Sequence, residues 1–189
     1  GLVTTKGFRD VLEMRRRQRP QTYGMVGSFQ PLVPRHLRLE VDERVAADGK
    51  VLKALDEKAM ARALAALREE GVEAVAVCFL NAFANPANEK RAMKVLRRAW
   101  PEAFASCSST VLPEIKEFER TSTVAANAYI GPRVSHYLQG IESHLAKAQF
   151  PGTFLVVQST GGLYDVSQAQ RECIRMLESG PAAGVIGTR

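Results

Sequence analysis

The sequence predicts an α/β fold, and three observations lead to that prediction. A run from Val72 to Leu80 is apolar apart from Glu73 and rich in valine, which is typical of a strand covered on both faces. Helical periodicity flanks this run, over residues 57–70 and from Asn85 to about Trp100. A further extended run follows at residues 104–111. This order of helix, strand, helix and strand predicts an α/β layer with a right-handed crossover.

Composition restricts the class of protein. The 189 residues are 46% hydrophobic and 24% charged, which excludes a disordered chain, a collagen-like chain and a disulfide-rich miniprotein. This length suggests one domain or a small pair. No apolar run is long enough to span a membrane, and the first residues lack the pattern of a signal peptide. Three cysteines without metal-ligand spacing are typical of a reducing compartment, so we expect a cytoplasmic protein. The absence of an initiator methionine suggests a fragment or a processed product.

The segment before the first long helix predicts a short helix, a connection and a hairpin. Residues 8–17 have the spacing of a short helix, and residues 20–36 are rich in proline and glycine. Residues 37–45 alternate with period two, as in a half-buried strand in which Arg38 faces away from the apolar side. Residues 47–50 have the composition of a turn, so a return strand is expected from Val51.

Capping residues set the limits of the two helices of the layer. Asp56 is the expected cap of the first helix, and Gly71 closes it. Pro86 falls near the first turn of the second helix, and Pro101 stops that helix.

From Pro113 onward the sequence predicts a helical segment that leads into a second α/β part. Residues 114–148 form a long helical region, which we expect to be interrupted at Gly131 and Pro132. A strand at residues 153–158 and a helix at residues 167–172 follow. A domain boundary is therefore placed near residue 112, between a first domain (1–112) and a second domain (113–189).

Basic residues are concentrated at the start of the chain. The first 20 residues hold six of the 26 Lys and Arg residues but only two of the 20 Asp and Glu residues. We therefore interpret the net charge of +6 as one local cluster that includes Arg15 to Arg19. Such a cluster binds phosphate or nucleic acid, or it is a solvated helix end. We favour the helix end, because no aromatic residues interleave the arginines.

Two glycine-containing segments are candidate binding elements. Gly161 and Gly162 follow a strand, where missing side chains leave backbone N–H groups free to meet an anion. A tight turn is the alternative. Ser179, Gly180 and Gly184 mark a helix start, and the N-terminus of a helix favours phosphate or carboxylate. Close helix packing is the alternative there.

A polar segment at the start of the long helix is the third candidate. Residues 117–123 contain two carboxylates, a guanidinium and three hydroxyls. Glu117, Arg120 and Thr121 share a helix face through i, i+3 and i+4 spacing. A surface ion pair is the alternative.

Other common sites are not predicted. The three histidines lack the spacing of metal ligands, so no metal residues are assigned. The sequence has no GxxxxGK[ST], GxGxxG or GxSxG motif. Cys78 lies in the apolar strand, where a buried and inert thiol is expected.

Taken together, several separated motifs resemble the hydantoinase A / 5-oxoprolinase family over nearly the whole chain. In chain order, these motifs are GLVTTKGFRDVLE (1–13), Arg19-Pro20, VDERV (41–45), AVAVCFL (74–80), Asn85-Pro86 with Glu89, ERTST (119–123) with NAY (127–129), Gln158-Ser159 with Gly161-Gly162, and SGPAAG (179–184).

This resemblance implies a fold related to the actin, Hsp70 and sugar-kinase ATPases. It implies ATP-dependent opening of a cyclic amide such as 5-oxoproline, a hydantoin or an N-methylhydantoin, through phosphorylation of the amide oxygen by Mg·ATP. Ketone carboxylases are also relatives. The aspartate-containing phosphate loops of the family lie outside this match. The chain alone is therefore expected to be inactive.

The resemblance also implies site residues and partners. Catalytic roles are expected for Glu119, Arg120 and Thr121, and ATP-binding roles for the glycine segments, namely Gly161, Gly162, Ser179, Gly180 and Gly184. Family members often carry histidine where this sequence has Asn88 and sometimes where it has Asn81, so no ligand role is carried over to either position.

The expected partners are a small cyclic amide and a B-type subunit or domain, within a homo- or hetero-oligomer. Neither a membrane nor nucleic acid is expected as a partner. Three alternatives to the hydrolase stay open. These are a non-catalytic module that docks a partner subunit, a ketone carboxylase subunit, and a nucleic-acid binder that uses the cluster from Arg15 to Arg19.

Overall fold

A four-stranded parallel sheet lies at the centre of the first of two units. The computed structural model describes residues 1–16, 21–24, 27 and 29–188, and the two units comprise residues 1–128 and 129–189. In chain order, the elements up to residue 111 are β1 (Leu2–Thr5), α1 (Val11–Met14), β2 (Arg38–Val41), β3 (Arg44–Val45), β4 (Val51–Lys53), α2 (Glu57–Glu69), β5 (Ala74–Cys78), α3 (Ala87–Ala99), β6 (Phe104–Cys107) and α4 (Ser108–Val111). The remaining elements are α5 (Glu117–Lys147), β7 (Leu155–Val157), β8 (Leu163–Asp165), α6 (Val166–Arg171) and α7 (Ser179–Gly187).

The parallel sheet is covered on both faces. Its strand order is β2-β1-β5-β6, and every adjacent pair is parallel. Val75 and Val77 of β5 join one apolar cluster with residues of α2 and α3, whereas Ala76 and Cys78 join a second cluster with Val124 on α5. The predicted strand with two buried faces is confirmed, because alternate residues of β5 enter different clusters.

The predicted helices and hairpin of the layer are also confirmed. Asp56 caps α2, since its Oδ1 accepts a hydrogen bond from Ala59 N at 2.9 Å. Gly71 ends this helix with a φ of 71°. Strands β3 and β4 pair antiparallel around the predicted turn, with Val45 opposite Val51.

The predicted single strand over residues 37–45 is wrong. The chain changes partners within this run, because β2 pairs with β1 in the parallel sheet and β3 pairs with β4. Arg38 is buried. Its Nε donates to Val33 O at 2.8 Å, and its Nη2 donates to Glu13 Oε1 at 3.3 Å. These partners compensate the buried guanidinium, a possibility that period-two alternation does not reveal.

Other element limits differ from the predicted ones. The first helix is short, because Arg15 has a left-handed φ of 52° directly after Met14. Arg17, the predicted end of this helix, lies outside the described residues. The extended run at residues 104–111 ends at Cys107 and continues as α4. Strands β1 and β8 are short, and the sequence analysis did not predict them.

Helix α5 is not interrupted at Gly131 and Pro132. It includes Pro132 and continues to Lys147. Proline removes one backbone donor from a helix but need not end it when the flanking turns are held. The predicted break is therefore wrong.

Residues 129–189 form a smaller unit with its own apolar cluster. The β7–β8 hairpin and α6 contribute Val156, Tyr164 and Ala169, which pack with Leu138 of α5. Asp165 caps α6, because its Oδ1 accepts from Gln168 N at 2.9 Å. The two units meet in sequence after residue 128, whereas the domain assignment at residue 112 stays a prediction. No helix in the described ranges is long and apolar enough to cross a membrane.

Candidate functional site

A buried polar cluster lies where β1, β5 and β6 end. Ligands of open α/β sheets bind beyond the carboxyl ends of the strands, so these positions are the first place to look for a site. The buried polar side chains that share this region are Thr5, Glu43, Asn88, Glu89, Ser108, Arg120 and Thr121.

Glu89 is the acceptor at the centre of this polar cluster. It lies in the first turn of α3 and is fully buried. Its Oε1 accepts from Phe79 N at 2.8 Å and from Ser108 Oγ at 2.6 Å. Its Oε2 accepts from Ser109 N at 2.8 Å and from the Cys107 thiol at 3.0 Å. The carboxylate therefore ties the end of β5 to the end of β6.

Arg120 brings the start of α5 to the same place. Its Nη2 donates to Phe79 O at 2.6 Å and to Ser108 Oγ at 2.7 Å, and lies 3.7 Å from Glu89 Oε1. Its Nη1 donates to Glu117 Oε1 at 3.2 Å, as the helical spacing predicted. Because the guanidinium is 0% exposed, a plain surface ion pair is ruled out. Its Nε is buried without a hydrogen-bond partner among the described residues.

A second buried carboxylate, Glu43, lies beyond the end of β2. Thr5 Oγ1 donates to its Oε1, and Asn88 Nδ2 donates to its Oε2 at 2.7 Å. Burial raises the pKa of Glu43 above its ordinary value, although these hydrogen bonds oppose the shift. Asn88 also accepts from Leu55 N at 3.1 Å. The Asn88 side chain is thus engaged within the protein.

Of the three predicted catalytic residues, Glu119 alone has a partly exposed side chain. Its Oε1 accepts from Arg16 Nε at 2.6 Å, and 23% of its side chain is exposed. A hydrogen bond from its own backbone N–H, together with Arg16, lowers the pKa of Glu119. Thr121 is buried, and its hydroxyl lies 3.3 Å from the Cys78 sulfur.

The Cys78 thiol is buried, as predicted. Desolvation raises its pKa to about 11, so the thiol is neutral near pH 7 and a poor nucleophile. This chemistry leaves the oxygen and nitrogen groups of the cluster as the functional candidates.

The predicted ATP-binding glycines lie in residues 129–189. Gly161 has a φ of +83°, and a β-carbon there would lie 1.9 Å from Ile186 Cδ1. Its N–H donates to Gln158 O at 2.8 Å, and Ser159 N donates to Arg175 O at 2.7 Å. The space beside Gly161 is therefore used for packing against α7, and these two N–H groups are already paired.

Two glycines of α7 have free space around their backbone. A β-carbon on Gly180 or Gly184 would meet no atom within 4 Å, and the same holds for Gly162. Ser179 is the first residue of α7. Gly162, Gly180 and Gly184 leave room for a phosphate group to approach the backbone, whereas Gly161 does not. Glu119, Arg120 and Thr121 lie together at the start of α5, in the first unit. The predicted ATP-binding glycines belong to the second unit, residues 129–189.

The two buried carboxylates of the cluster, Glu43 and Glu89, were not predicted as site residues. A signal for Glu89 was present, because it precedes Ala92 and Leu96 by three and seven residues and so shares the buried face of α3. No comparable signal marked Ser108, which the pattern placed inside a strand.

The predicted basic cluster is partly described. Arg16 pairs with Glu119, and the Arg15 guanidinium lies 4.1 Å from the centre of the Phe29 ring. Arg17 and Arg19 lie outside the described residues. In the described ranges, no three His, Cys, Asp or Glu residues group as metal ligands.

Family profiles match both parts of the sequence. The profile described as "Hydantoinase/oxoprolinase N-terminal region" matches residues 1–100, and the profile described as "Hydantoinase/oxoprolinase" matches residues 120–189. The chain belongs to the hydantoinase/oxoprolinase family. The predicted resemblance is confirmed.

Two proteins with sequences similar to this chain are named as subunits of enzymes. The caprolactamase subunit alpha of Pseudomonas jessenii is 36% identical over 188 residues, which cover 97% of the chain and 27% of the relative. The acetophenone carboxylase gamma subunit of Aromatoleum aromaticum is 29% identical, over 100% of the chain and 27% of the relative. The chain thus spans about a quarter of the length of these relatives.

Solved structures of the family have the same fold as this chain. The crystal structure of the ATP-dependent caprolactamase from Pseudomonas jessenii matches 97% of the chain with a TM-score of 0.84 and 34% identity, covering 27% of that structure. Nucleotide-free acetone carboxylase matches 100% of the chain with a TM-score of 0.84 and 27% identity, covering 28% of that structure. The predicted α/β class is confirmed, and the structure shows that the sheet of its first unit is parallel.

Proposed function

We propose that the full-length protein is an ATP-dependent hydrolase that opens a cyclic amide. The observation that carries this proposal is the agreement with caprolactamase in both sequence and fold, at 36% identity and a TM-score of 0.84. The proposed substrates are 5-oxoproline, a hydantoin or an N-methylhydantoin. We further propose that the fold is related to the actin, Hsp70 and sugar-kinase ATPases, as the family resemblance implies.

In the proposed reaction, the amide oxygen of the ring accepts the terminal phosphoryl group of ATP and ADP leaves. Water then adds to the activated carbon, and the ring C–N bond breaks with nitrogen leaving as an amine. A second water hydrolyses the acyl phosphate to a carboxylate and phosphate. Catalysis of phosphoryl transfer depends on positioning and on neutralising charge, and Mg²⁺ is the proposed counter-ion.

The residues of this chain supply two parts of that task. We propose that the ATP phosphates contact the backbone at Gly180 and Gly184, where a β-carbon would meet no atom within 4 Å, and at Ser179, the first residue of α7. Gly162 is open in the same way, and Gly161 supports α7 through its contact with Ile186.

The polar cluster holds the start of α5 in place. Arg120 and Thr121 act as positioning residues in this proposal, since both are buried. Glu119 has the accessible carboxylate and is the residue proposed to contact the reacting groups. Arg16 orients this carboxylate through its 2.6 Å hydrogen bond.

The substrate proposal is tested by turnover of the full-length protein. ADP release is measured with ATP, Mg²⁺ and each proposed ring in turn, and the ring-opened acid is identified by mass spectrometry. We expect ADP release only when a ring is present, with one acid formed per ADP. Ring opening without ATP, or no opening of any ring, would contradict the proposal.

Glycine variants test the proposed phosphate contact. Gly184→Ala should raise the KM for ATP, because a methyl group fills the open space next to the helix backbone. Gly187→Ala is the matched control, since its β-carbon also meets no atom within 4 Å but lies at the far end of α7. Equal KM values in both variants would remove Gly184 from the site.

A ketone carboxylase is the second candidate, because acetone carboxylase has the same fold over the whole chain. This reading predicts ADP release that needs bicarbonate and a ketone instead of a cyclic amide. In either case we propose that a B-type subunit or domain completes the enzyme, as the subunit names of the relatives suggest.

A further inference from the structure

We infer that the exposed face of α3 binds an acidic surface of a partner protein. Apart from Ala99, every exposed residue of this helix is a cation. The five cations form what is here called the α3 basic face, namely Lys90, Arg91, Lys94, Arg97 and Arg98. Their spacing places them on one side of the helix, opposite the residues that pack against β5 and β6.

The α3 basic face is not apparent from the net charge of the sequence. Residues beyond position 20 are nearly balanced in charge when counted along the sequence. The structure nevertheless gathers five of their cations on one helix face. A second basic cluster therefore exists beyond the one predicted at the start of the chain.

Internal ion pairs account for two of the five cations. Glu57 Oε1 accepts from Arg91 Nη2 at 3.0 Å, and Glu57 Oε2 lies 3.9 Å from Arg98 Nη2. In the described part of the chain, Lys90, Lys94 and Arg97 have no carboxylate within 4.0 Å of their charged atoms.

Helix stability does not explain the α3 basic face. Arg97 and Arg98 lie in the last turn, where cations are favourable to the helix dipole. Lys90 lies near the N-terminus, where a cation is unfavourable, and it forms a like-charge i, i+4 pair with Lys94. A surface that carries this repulsion gains most from carboxylates supplied by another molecule.

The shape and composition of the face favour a protein over the other anions. A depression of about 270 Å³ is lined by Glu57, Arg91, Lys94, Val95 and Arg98. Glu57 lies within this depression and already pairs with Arg91 and Arg98, so these two arginines are less available to a free phosphate. The exposed residues of α3 include no aromatic side chain for stacking against bases, which single-stranded nucleic acid uses. Separate carboxylates on a folded surface can pair with Lys90, Lys94 and Arg97 individually.

The inference rests on the proposed function only for the view that the full-length protein works with a second subunit or domain. The test uses the full-length protein and labelled poly-L-glutamate as the probe, with fluorescence anisotropy at about 50 and about 300 mM salt. The variant K90Q/K94Q/R97Q should bind the probe about tenfold more weakly than wild type at low salt. Light scattering should show that the mass of the purified assembly falls in the same variant.

A matched control removes three exposed cations elsewhere, as K50Q/R133Q/K147Q. It should bind the probe as wild type does, and circular dichroism checks that both variants fold. Equal weakening in both variants would overturn the inference, because net charge alone would then explain binding. Tighter binding of a labelled single-stranded oligonucleotide, or displacement of the probe by tripolyphosphate, would also overturn it. None of these readouts uses turnover, so failure of the hydrolase proposal is recognised separately.

Discussion

Glu89 is the residue whose loss should disturb the described fold most. Its carboxylate accepts four hydrogen bonds from the ends of β5 and β6 and lies beside the buried Arg120 guanidinium. Removing one member of a buried pair leaves the other charge uncompensated, which costs more than the pair contributes.

We expect Glu89→Ala to lower the free energy of unfolding by about 3–5 kcal/mol. Urea unfolding, followed by the fluorescence of the single tryptophan Trp100, measures this change. Glu102→Ala is the control, because Glu102 pairs with Arg68 at 2.8 Å while both side chains are 58% exposed. Glu102→Ala should lower the free energy of unfolding by under about 1 kcal/mol. Similar costs in the two variants would contradict the role given to Glu89.

Glu43 should make stability depend on pH. Burial raises its pKa above the ordinary 4.5, so its folded form binds the proton more tightly than the unfolded form. The associated stabilisation is present below the ordinary pKa and is lost as pH rises through the folded-state pKa. Glu43→Gln removes this titration. The stability of the variant relative to wild type should therefore be greater at about pH 7 than at about pH 4, by urea unfolding. A difference that does not change with pH would contradict this expectation.

At the level of elements, two glycines should respond oppositely to the same substitution. Gly140 lies inside α5, and a β-carbon there meets no atom within 4 Å. Gly140→Ala should stabilise the protein by about 0.5–1 kcal/mol, because alanine loses less backbone entropy on folding. Gly161 lies in the β7–β8 turn with a φ of +83° and Ile186 beside it. Gly161→Ala should destabilise by at least about 1 kcal/mol. Thermal unfolding of both variants checks the signs, and a stabilised Gly161→Ala would be inconsistent with this turn.

Elements also show where local sequence rules are sufficient. Asp56 and Gly71 predict both ends of α2, because capping depends on side chains next to the helix. The break in α5 that was predicted at Pro132 is wrong. A proline indicates the preference of the local backbone, but it does not show whether the neighbouring turns keep the helix continuous.

At the scale of the whole molecule, the exposed apolar side chains of α7 lead us to expect that another part of the full-length protein packs against this helix. Its sequence, SGPAAGVIG, has no charge, yet none of its residues is buried, and Val185 and Ile186 are 68% and 52% exposed. An apolar helix of this kind normally packs its large side chains against other parts of the protein. Because the chain spans about a quarter of its relatives, we expect other segments of the full-length protein to cover Val185 and Ile186.

The double variant Val185→Ser/Ile186→Ser tests this expectation in two contexts. In the isolated chain, it should reduce binding of the dye ANS, because exposed apolar surface is removed. In the full-length protein, the same change should lower the melting temperature, because buried contacts are lost. An unchanged melting temperature in the full-length protein would mean that α7 stays uncovered there.

The sequence by itself determined the α/β class, the buried β5 strand, the caps of α2 and the family. These features depend on periodicity, on neighbouring residues or on ordered motifs, all of which are written along the chain. Only the tertiary structure decided that Arg120 is buried with Glu89 and that Gly161 packs on Ile186. Each of these contacts depends on how distant segments approach one another, because burial and long-range electrostatics act through space and not along the sequence.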